Sequence, residues 1–255
     1  MPDASINDVR LYYEERGSGT SILGIHGGGS SAVFWEDAAE RLAELGRVIT
    51  YDRRGSNRSD RPDPYEVTSV GEHTDDALAL LRALDAEPAI VIGRSYGGTI
   101  ALDLALRHPE SALGVALLEA GPMGLSPEYD AWFRALRATL ESVDAPAVGE
   151  TVLREVFGAW EELPRVWRDV FTANGPALLA EVRGEERLSE DAHLDELSVP
   201  ALIVTANGSP EPIQRSSEAL ARALPGARAV RVSGDHAIDP GRAEVLAFVA
   251  ELVSA

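Results

Sequence analysis

Apolar and polar positions along the 255 residues alternate between two periods. Short continuous apolar runs occur at Ser21–Ile25, Val48–Tyr51, Ala89–Ile92, Leu113–Leu118, Ala201–Thr205 and Ala227–Val232. Each is too short for a buried helix and is bounded by Gly, Pro or Asp, so each reads as a strand covered on both faces. Between these runs the apolar residues recur every three or four positions. Trp35–Leu45 carries Ala38, Leu42 and Leu45 on one stripe and stops at Gly46, and Val70–Leu84 carries Ala77, Leu80, Leu81 and Leu84. Helices are also expected from Gly93 through Arg107, over Gln214–Ala223 and over Ala243–Val253. Asn7-Asp8 marks a hairpin turn whose second strand is Val9–Glu14. Strands that alternate with helices predict an α/β fold, a mostly parallel twisted sheet with helices on both faces.

The alternation breaks once. Residues 122–196 have helical spacing and turns but no convincing strand, and they gather Trp132, Phe133, Phe157, Trp160, Trp167 and Phe171. This segment reads as a helical lid inserted into a core made of residues 1–121 and 197–255. There is no internal repeat and no low-complexity tract.

Composition narrows the chemistry. The chain has no cysteine and no lysine, which removes disulfides, thiolate metal sites, a cysteine nucleophile and lysine Schiff-base chemistry. A net charge of −19, from 23 arginines against 42 acidic residues, argues against nucleic acid and anionic membranes as partners. No apolar run approaches the roughly 18 residues of a membrane span. The first residues lack the basic and apolar regions of a secretory leader, so a cytoplasmic protein, monomer or homodimer, is expected.

The strongest chemical signal is Gly93-Arg94-Ser95-Tyr96-Gly97, a G-x-S-x-G between a buried strand and a helix. A serine on so sharp a turn is held in a strained conformation, and side chains at the flanking glycines would collide across it. The turn exposes the hydroxyl and aims a helix N-terminus at it, where developing negative charge is stabilised. Arg94, beside this serine, reads as a surface or lid contact. Of the histidines, His26 reads as structural, His108 as a cation at a helix C-terminus, and His73 and His193 as solvated; none has metal-ligand spacing.

In these features the chain resembles the α/β-hydrolase superfamily over nearly its whole length. His26-Gly27-Gly28-Gly29 is similar to the family's oxyanion loop. Asp52-Arg53-Arg54-Gly55-Ser56-Asn57-Arg58-Ser59 resembles its D-x-R-G-x-G-x-S turn, with Asn57 for the second glycine. Gly234-Asp235-His236 matches the catalytic histidine. The resemblance implies Ser95 as nucleophile, His236 as its base, the amides of Gly28 and Tyr96 as oxyanion donors, and no cofactor.

The third member of such a triad is displaced. Most of the family carries the acid after the strand that follows the lid, in a segment similar to G-x-x-D-P. Here that segment is Asn207-Gly208-Ser209-Pro210, and Ser209 cannot carry the charge. Glu211 and Asp235 lie nearby in sequence. Glu119, just past the strand that follows the nucleophile's helix, is the other candidate. Adjacent strands are roughly 4.8 Å apart, so its carboxylate would end beside Ser95 and within reach of the His236 loop. Certain haloalkane dehalogenases and fungal zearalenone lactonases of the same superfamily place the acid there, which makes a Ser95–His236–Glu119 triad feasible.

The expected activity is hydrolysis of a carboxylic ester or lactone of a mainly apolar small molecule, with Trp132, Trp160 and Met123 touching the substrate. Haloalkane dehalogenation is disfavoured, because it needs a carboxylate where Ser95 stands. Carbon–carbon bond hydrolysis on the same three residues, or a receptor-like fold with little turnover, remain the alternatives.

Overall fold

The computed structural model describes residues 2–158, 160–224 and 226–255. The chain opens with a hairpin, β1 (Asp3–Ile6) and β2 (Val9–Arg16). Its turn residues Asn7 and Asp8 have φ of 45° and 66°, the left-handed values that a two-residue turn requires. There follow β3 (Ser21–Ile25), α1 (Glu36–Leu42), β4 (Arg47–Tyr51), α2 (Val70–Ala83), β5 (Ala89–Arg94), α3 (Tyr96–Arg107) and β6 (Ala112–Leu118). Four helices come next, α4 (Pro127–Glu141), α5 (Ala145–Phe157), α6 (Arg165–Ala173) and α7 (Gly175–Gly184). The chain closes with β7 (Ala201–Ala206), α8 (Glu211–Ala223), β8 (Arg228–Val232) and α9 (Ala243–Val253).

Among the described residues the sheet has eight strands in the order β1-β2-β4-β3-β5-β6-β7-β8. β2 alone runs against the rest, pairing antiparallel with β1 and β4; all the other neighbouring pairs are parallel. The order reverses between β3 and β5, since β4 lies on one side of β3 and β5 on the other. At such a switch point the loops leaving the two strands turn to opposite faces and leave a crevice at the strands' C-terminal ends. Here those loops begin at His26 and at Ser95, so the topology alone puts the family-like motifs face to face.

Alternate residues of the strands feed two cores. Leu23, Val91, Leu117 and Ile203 pack with Leu80, Ile100, Leu104 and Leu220 from α2, α3 and α8. Ile22, Ile90, Ile92, Leu118 and Val204 pack with Trp35, Val245 and Phe248 on the α1 and α9 side. A third cluster, including Leu140, Val148, Leu153 and Leu178, belongs to the helices between β6 and β7. No helix among the described residues is long and apolar enough to cross a membrane.

The expected elements are present with shifted ends. The expected helix over Trp35–Leu45 is a 3₁₀ turn (Ala32–Trp35) capped by Ser31, followed by α1, which stops at Leu42. α8 begins at Glu211 rather than Gln214, because Pro212 occupies the first turn, where its missing N–H has no intrahelical partner to lose.

The β5–α3 turn is the tightest point of the fold. A Cβ at Gly93 would lie 2.1 Å from the Gly97 carbonyl oxygen, and one at Gly97 would lie 2.4 Å from that of Ile25. Both obstacles are backbone and cannot rotate away. Gly93→Ala is therefore expected to lower the unfolding free energy by about 3 kcal/mol or more. An unchanged urea midpoint would show that α3 can retreat from the strand.

Candidate active site

The site is assembled at the tips of three neighbouring parallel strands. β5 ends at Arg94, and Ser95 turns the chain into α3 with φ 53° and ψ −125°. Such a conformation costs a non-glycine residue on the order of 1–3 kcal/mol and persists only where its surroundings fix it. The Ser95 amide donates to the Leu118 carbonyl (2.8 Å), and its carbonyl accepts from the amides of Gly98 (2.7 Å) and Thr99 (3.2 Å). The hydroxyl is thereby lifted off the end of β5.

One strand over, Glu119 ends β6 in the same way, with φ 53°, its amide donating to the Val204 carbonyl at 2.9 Å. Its side chain is 1% exposed and its oxygens are fully engaged. Oε1 accepts from the Ala206 amide (2.8 Å), and Oε2 accepts from the Ser209 hydroxyl (2.6 Å) and faces His236 Nδ1 (2.6 Å). The other imidazole nitrogen, Nε2, lies 3.1 Å from Ser95 Oγ. Ser95, His236 and Glu119 thus form one continuous hydrogen-bonded chain. Ser209, which follows β7, donates its hydrogen bond to Glu119. Glu211 is exposed and paired with Arg215 on α8, and Asp235 accepts from the Ala237 amide; neither touches His236.

A pocket opens above this chain. Gly27, Gly28, Ser95, Tyr96 and His236 form its floor, and Phe133, Leu136, Val152, Leu153, Phe157, Trp167, Phe171 and Leu178 its apolar walls. Phe157 stands 6.1 Å from the His236 ring, centroid to centroid. Trp132 lines the pocket and donates through Nε1 to Glu155 (3.1 Å). Met123 and Trp160 lie outside that lining: Met123 is buried in the helical core, and Trp160 stacks against Arg168. The backbone at Gly27 passes directly beside Ser95, where a Cβ on Gly27 would lie 3.3 Å from that of Ser95.

A family model described as "alpha/beta hydrolase fold" matches residues 20–144, which include the His26–Gly29 loop, Ser95 and Glu119. The chain is similar over its full length to the crystal structure of the enol-lactonase from Burkholderia xenovorans LB400, at 24% identity, 100% coverage of both chains and a TM-score of 0.81. This chain belongs to the α/β-hydrolase superfamily. A second solved structure, Est816, described as an N-acyl homoserine lactone degrading enzyme, is 26% identical over 99% of both chains with a TM-score of 0.69. A curated relative, an uncharacterized hydrolase of Bacillus subtilis named YraK, is 46% identical over 102 residues, covering 40% of this chain and 38% of the relative. The chain thus spans well under half the length of that relative.

The His26–Gly29 loop is held from below by buried polar groups. Arg53 donates to the carbonyls of His26 (Nε, 3.2 Å) and Gly27 (Nη2, 3.0 Å), and its Nη2 also lies 2.8 Å from Glu181 Oε1. The Arg53 amide donates to His26 Nε2, so the imidazole's own proton sits on Nδ1 and goes to the Gly27 carbonyl at 2.8 Å. Burial, and then Arg53, hold His26 well below the usual histidine range. Asn174 donates to the carbonyls of Gly29 and Ser30 and accepts from the Asn57 amide (2.7 Å). Asn57 itself takes φ 46°, the conformation that a glycine usually supplies in this turn, and its side chain donates to Asp52. The substitution keeps the turn and adds a bond.

Two expectations are overturned. His73 is not solvated: it is fully buried against Arg53 and the edge of Tyr96, and burial, then Arg53, keep it well below its usual range. Of the two readings of Arg94, surface or lid contact, the surface one fails: the residue is 9% exposed and lines the pocket together with residues of the helical segment such as Trp167 and Phe171. Asn174, Glu181 and Glu186 escaped the sequence reading altogether. Glu181 alone carried a signal, as the one carboxylate within the apolar run Ala177–Val182. Among the described residues no group of three or more histidines and carboxylates could hold a metal ion.

Glu186 lines the pocket and accepts from Thr99 Oγ1 (2.5 Å) and Tyr129 Oη (2.6 Å). Burial pushes its carboxyl up to about 7, against the pull of these two donors. A folded-state pKa above the unfolded value of about 4.3 contributes stability that is complete below that value and is lost as pH rises through 7. Relative to Glu186→Gln, the wild type should therefore lose about 1.4 kcal/mol of unfolding free energy per pH unit between roughly pH 4.5 and 7. Parallel urea titrations would show it; a pH-independent difference would mean that Glu186 is ionised throughout.

Proposed function

We propose that the protein is a serine hydrolase of carboxylic esters or lactones, working through an acyl-enzyme on Ser95, with α4–α7 as the lid over the site. The observation that carries this reading is the unbroken Ser95–His236–Glu119 chain on the floor of an apolar pocket. Likeness to a lactone-degrading enzyme adds support for the substrate class.

The chemistry follows from the atoms in place. With Glu119 accepting the Nδ1 proton, Nε2 of His236 presents its lone pair to the Ser95 hydroxyl. As Ser95 Oγ attacks a carbonyl carbon, His236 takes the hydroxyl proton, and Glu119 stabilises the imidazolium that forms. The carbonyl oxygen becomes an oxyanion, which the amides of Gly28 and Tyr96 receive at the N-terminus of α3. Collapse of the tetrahedral intermediate expels an alkoxide, which His236 protonates. Water, deprotonated by the same nitrogen, then releases the acyl group. The Ala206 amide and the Ser209 hydroxyl hold Glu119 aimed at Nδ1. The ring thereby keeps one tautomer through the cycle.

Labelling with a fluorophosphonate probe should modify Ser95 in the native protein and not in Ser95→Ala. With p-nitrophenyl esters, Glu119→Gln should lower kcat by roughly 10³- to 10⁴-fold with the fold intact. Glu211→Gln should leave kcat within about twofold, since Glu211 lies on the exposed face of α8. A native protein whose Ser95 stays unlabelled, or a reversal of the two glutamate effects, would remove the basis of this assignment.

A further inference from the structure

Buried arginines in this fold come with carboxylates, with one exception. Arg53 pairs with Glu181 at 2.8 Å, and Arg54 with Asp76 at 2.5 Å. Arg94 is also buried, at 9% exposure, yet its guanidinium makes a single hydrogen bond among the described residues, from Nη2 to the Ser30 hydroxyl at 3.4 Å. The carboxylates nearest in effect, Asp239 and Asp235, belong to the loop that bears His236, and both are occupied elsewhere. Asp239 accepts from Arg41 Nη2 (2.5 Å) and the Gly241 amide (2.8 Å), while Asp235 accepts from the Ala237 amide (2.9 Å). A buried cation left without an ionic partner is disfavoured, and such groups are retained where something else supplies the countercharge.

Arg94 also stands in a particular place. It directly precedes Ser95, and both line the same pocket with Ser30 and His236. The pocket's carboxylates at the helical side, Glu181 and Glu186, belong to or follow α7 and are held by Arg53, Thr99 and Tyr129. Glu119 lines the same pocket but is engaged by the Ala206 amide, the Ser209 hydroxyl and His236, so Arg94 is the one arginine of the lining and has no ionic partner among the described residues.

We infer that Arg94 is a substrate-binding residue that takes a carboxylate carried by the ester or lactone close to the carbonyl that Ser95 attacks. This deepens the hydrolase reading and rests on it. A guanidinium offers two parallel N–H donors that match a carboxylate, and the Ser30 hydroxyl is beside it to accept or donate a further bond. The apolar remainder of the substrate then extends among Trp132, Phe133 and Leu153. Although burial pulls the Arg94 guanidinium down to about 10, it still carries its charge at neutral pH. The substrates so selected are half-esters of short dicarboxylic acids, or lactones bearing a free carboxylate.

The test compares two esters of the same acyl length, p-nitrophenyl hemiglutarate and p-nitrophenyl valerate, which differ by a terminal carboxylate. The wild type should show kcat/KM at least tenfold higher for the hemiglutarate, with the difference carried by KM. Arg94→Gln should reduce that ratio at least tenfold, and Arg94→Lys should restore part of it. Equal kcat/KM for the two esters in the wild type, or a ratio unchanged in Arg94→Gln, would overturn the assignment. Binding of glutarate and valeramide to Ser95→Ala, followed by NMR titration, reads the same preference without turnover. Tighter binding of glutarate that vanishes in Ser95→Ala/Arg94→Gln sustains the inference, and equal binding overturns it. A wild type that hydrolyses valerate without anion preference defeats this inference alone. One that hydrolyses neither ester defeats the hydrolase reading, and the titration then decides the role of Arg94 separately.

Discussion

Two backbone hydrogen bonds fix the site: Ser95 to the Leu118 carbonyl, and Glu119 to the Val204 carbonyl. Each joins the first residue beyond one strand to the last turn of the ladder on the next. They extend the parallel register Arg94↔Leu118 and Leu118↔Val204 by one step past the strands' ends. Both donors sit at φ 53°, so the same conformational device is used twice on adjacent strands. At each strand the reversal turns a side chain that would otherwise continue the pleat upward into the crevice. The strain, about 1–3 kcal/mol at each residue, is sustained because parallel pairing and the two cores leave the strand tips no room to relax.

That geometry accounts for the displaced acid. β6 and β7 are neighbours, and the loops that follow them meet at one imidazole edge. A carboxylate at either tip can accept the Nδ1 proton of His236. Here it comes from β6, and the β7 loop supplies donors instead, the Ala206 amide and the Ser209 hydroxyl. The arrangement sets a carboxylate against the imidazole and surrounds it with hydrogen-bond donors, as a buried carboxylate requires. Ser209 is therefore a structural part of the arrangement, one of the donors that fix the Glu119 carboxylate.

The sheet, its order of elements and the three linked side chains were legible in the sequence, because each rests on local or neighbouring-strand information. The run Val115–Leu118 followed by Glu119 announces a buried strand ending in a charge, and the gap at Ser209 says why the charge is needed. His73 was misread because its own helix surroundings are polar. Its burial is set by Arg53, from the loop after β4, and by Tyr96, at the start of α3. Arg94 failed for the opposite reason. An arginine beside an exposed serine reads as a surface residue unless the oxyanion-like loop and the His236 loop are both placed over it. Which polar groups are buried is a property of tertiary packing, and periodicity carries little of it.

The same distinction between local and long-range order divides the helices over the site. The polar bonds that cross to the core concentrate on α7 and its flanks. Asn174 holds Gly29, Ser30 and Asn57, Glu181 meets Arg53, the Ala180 carbonyl accepts from Thr68, and Glu186 ties Thr99 to Tyr129. The side-chain hydrogen bonds of α5 and α6 stay within the helical segment, between Trp132 and Glu155 or between Arg154 and Glu161. Contact of these helices with the core is apolar, through residues such as Phe157 and Phe171, and apolar contacts tolerate sliding where directional bonds do not. The wall of α7 beside the Gly28 loop is thus part of the rigid frame that positions the chemistry. The wall of α5 and α6 above His236 is the part whose packing can adjust to the shape of a bound molecule.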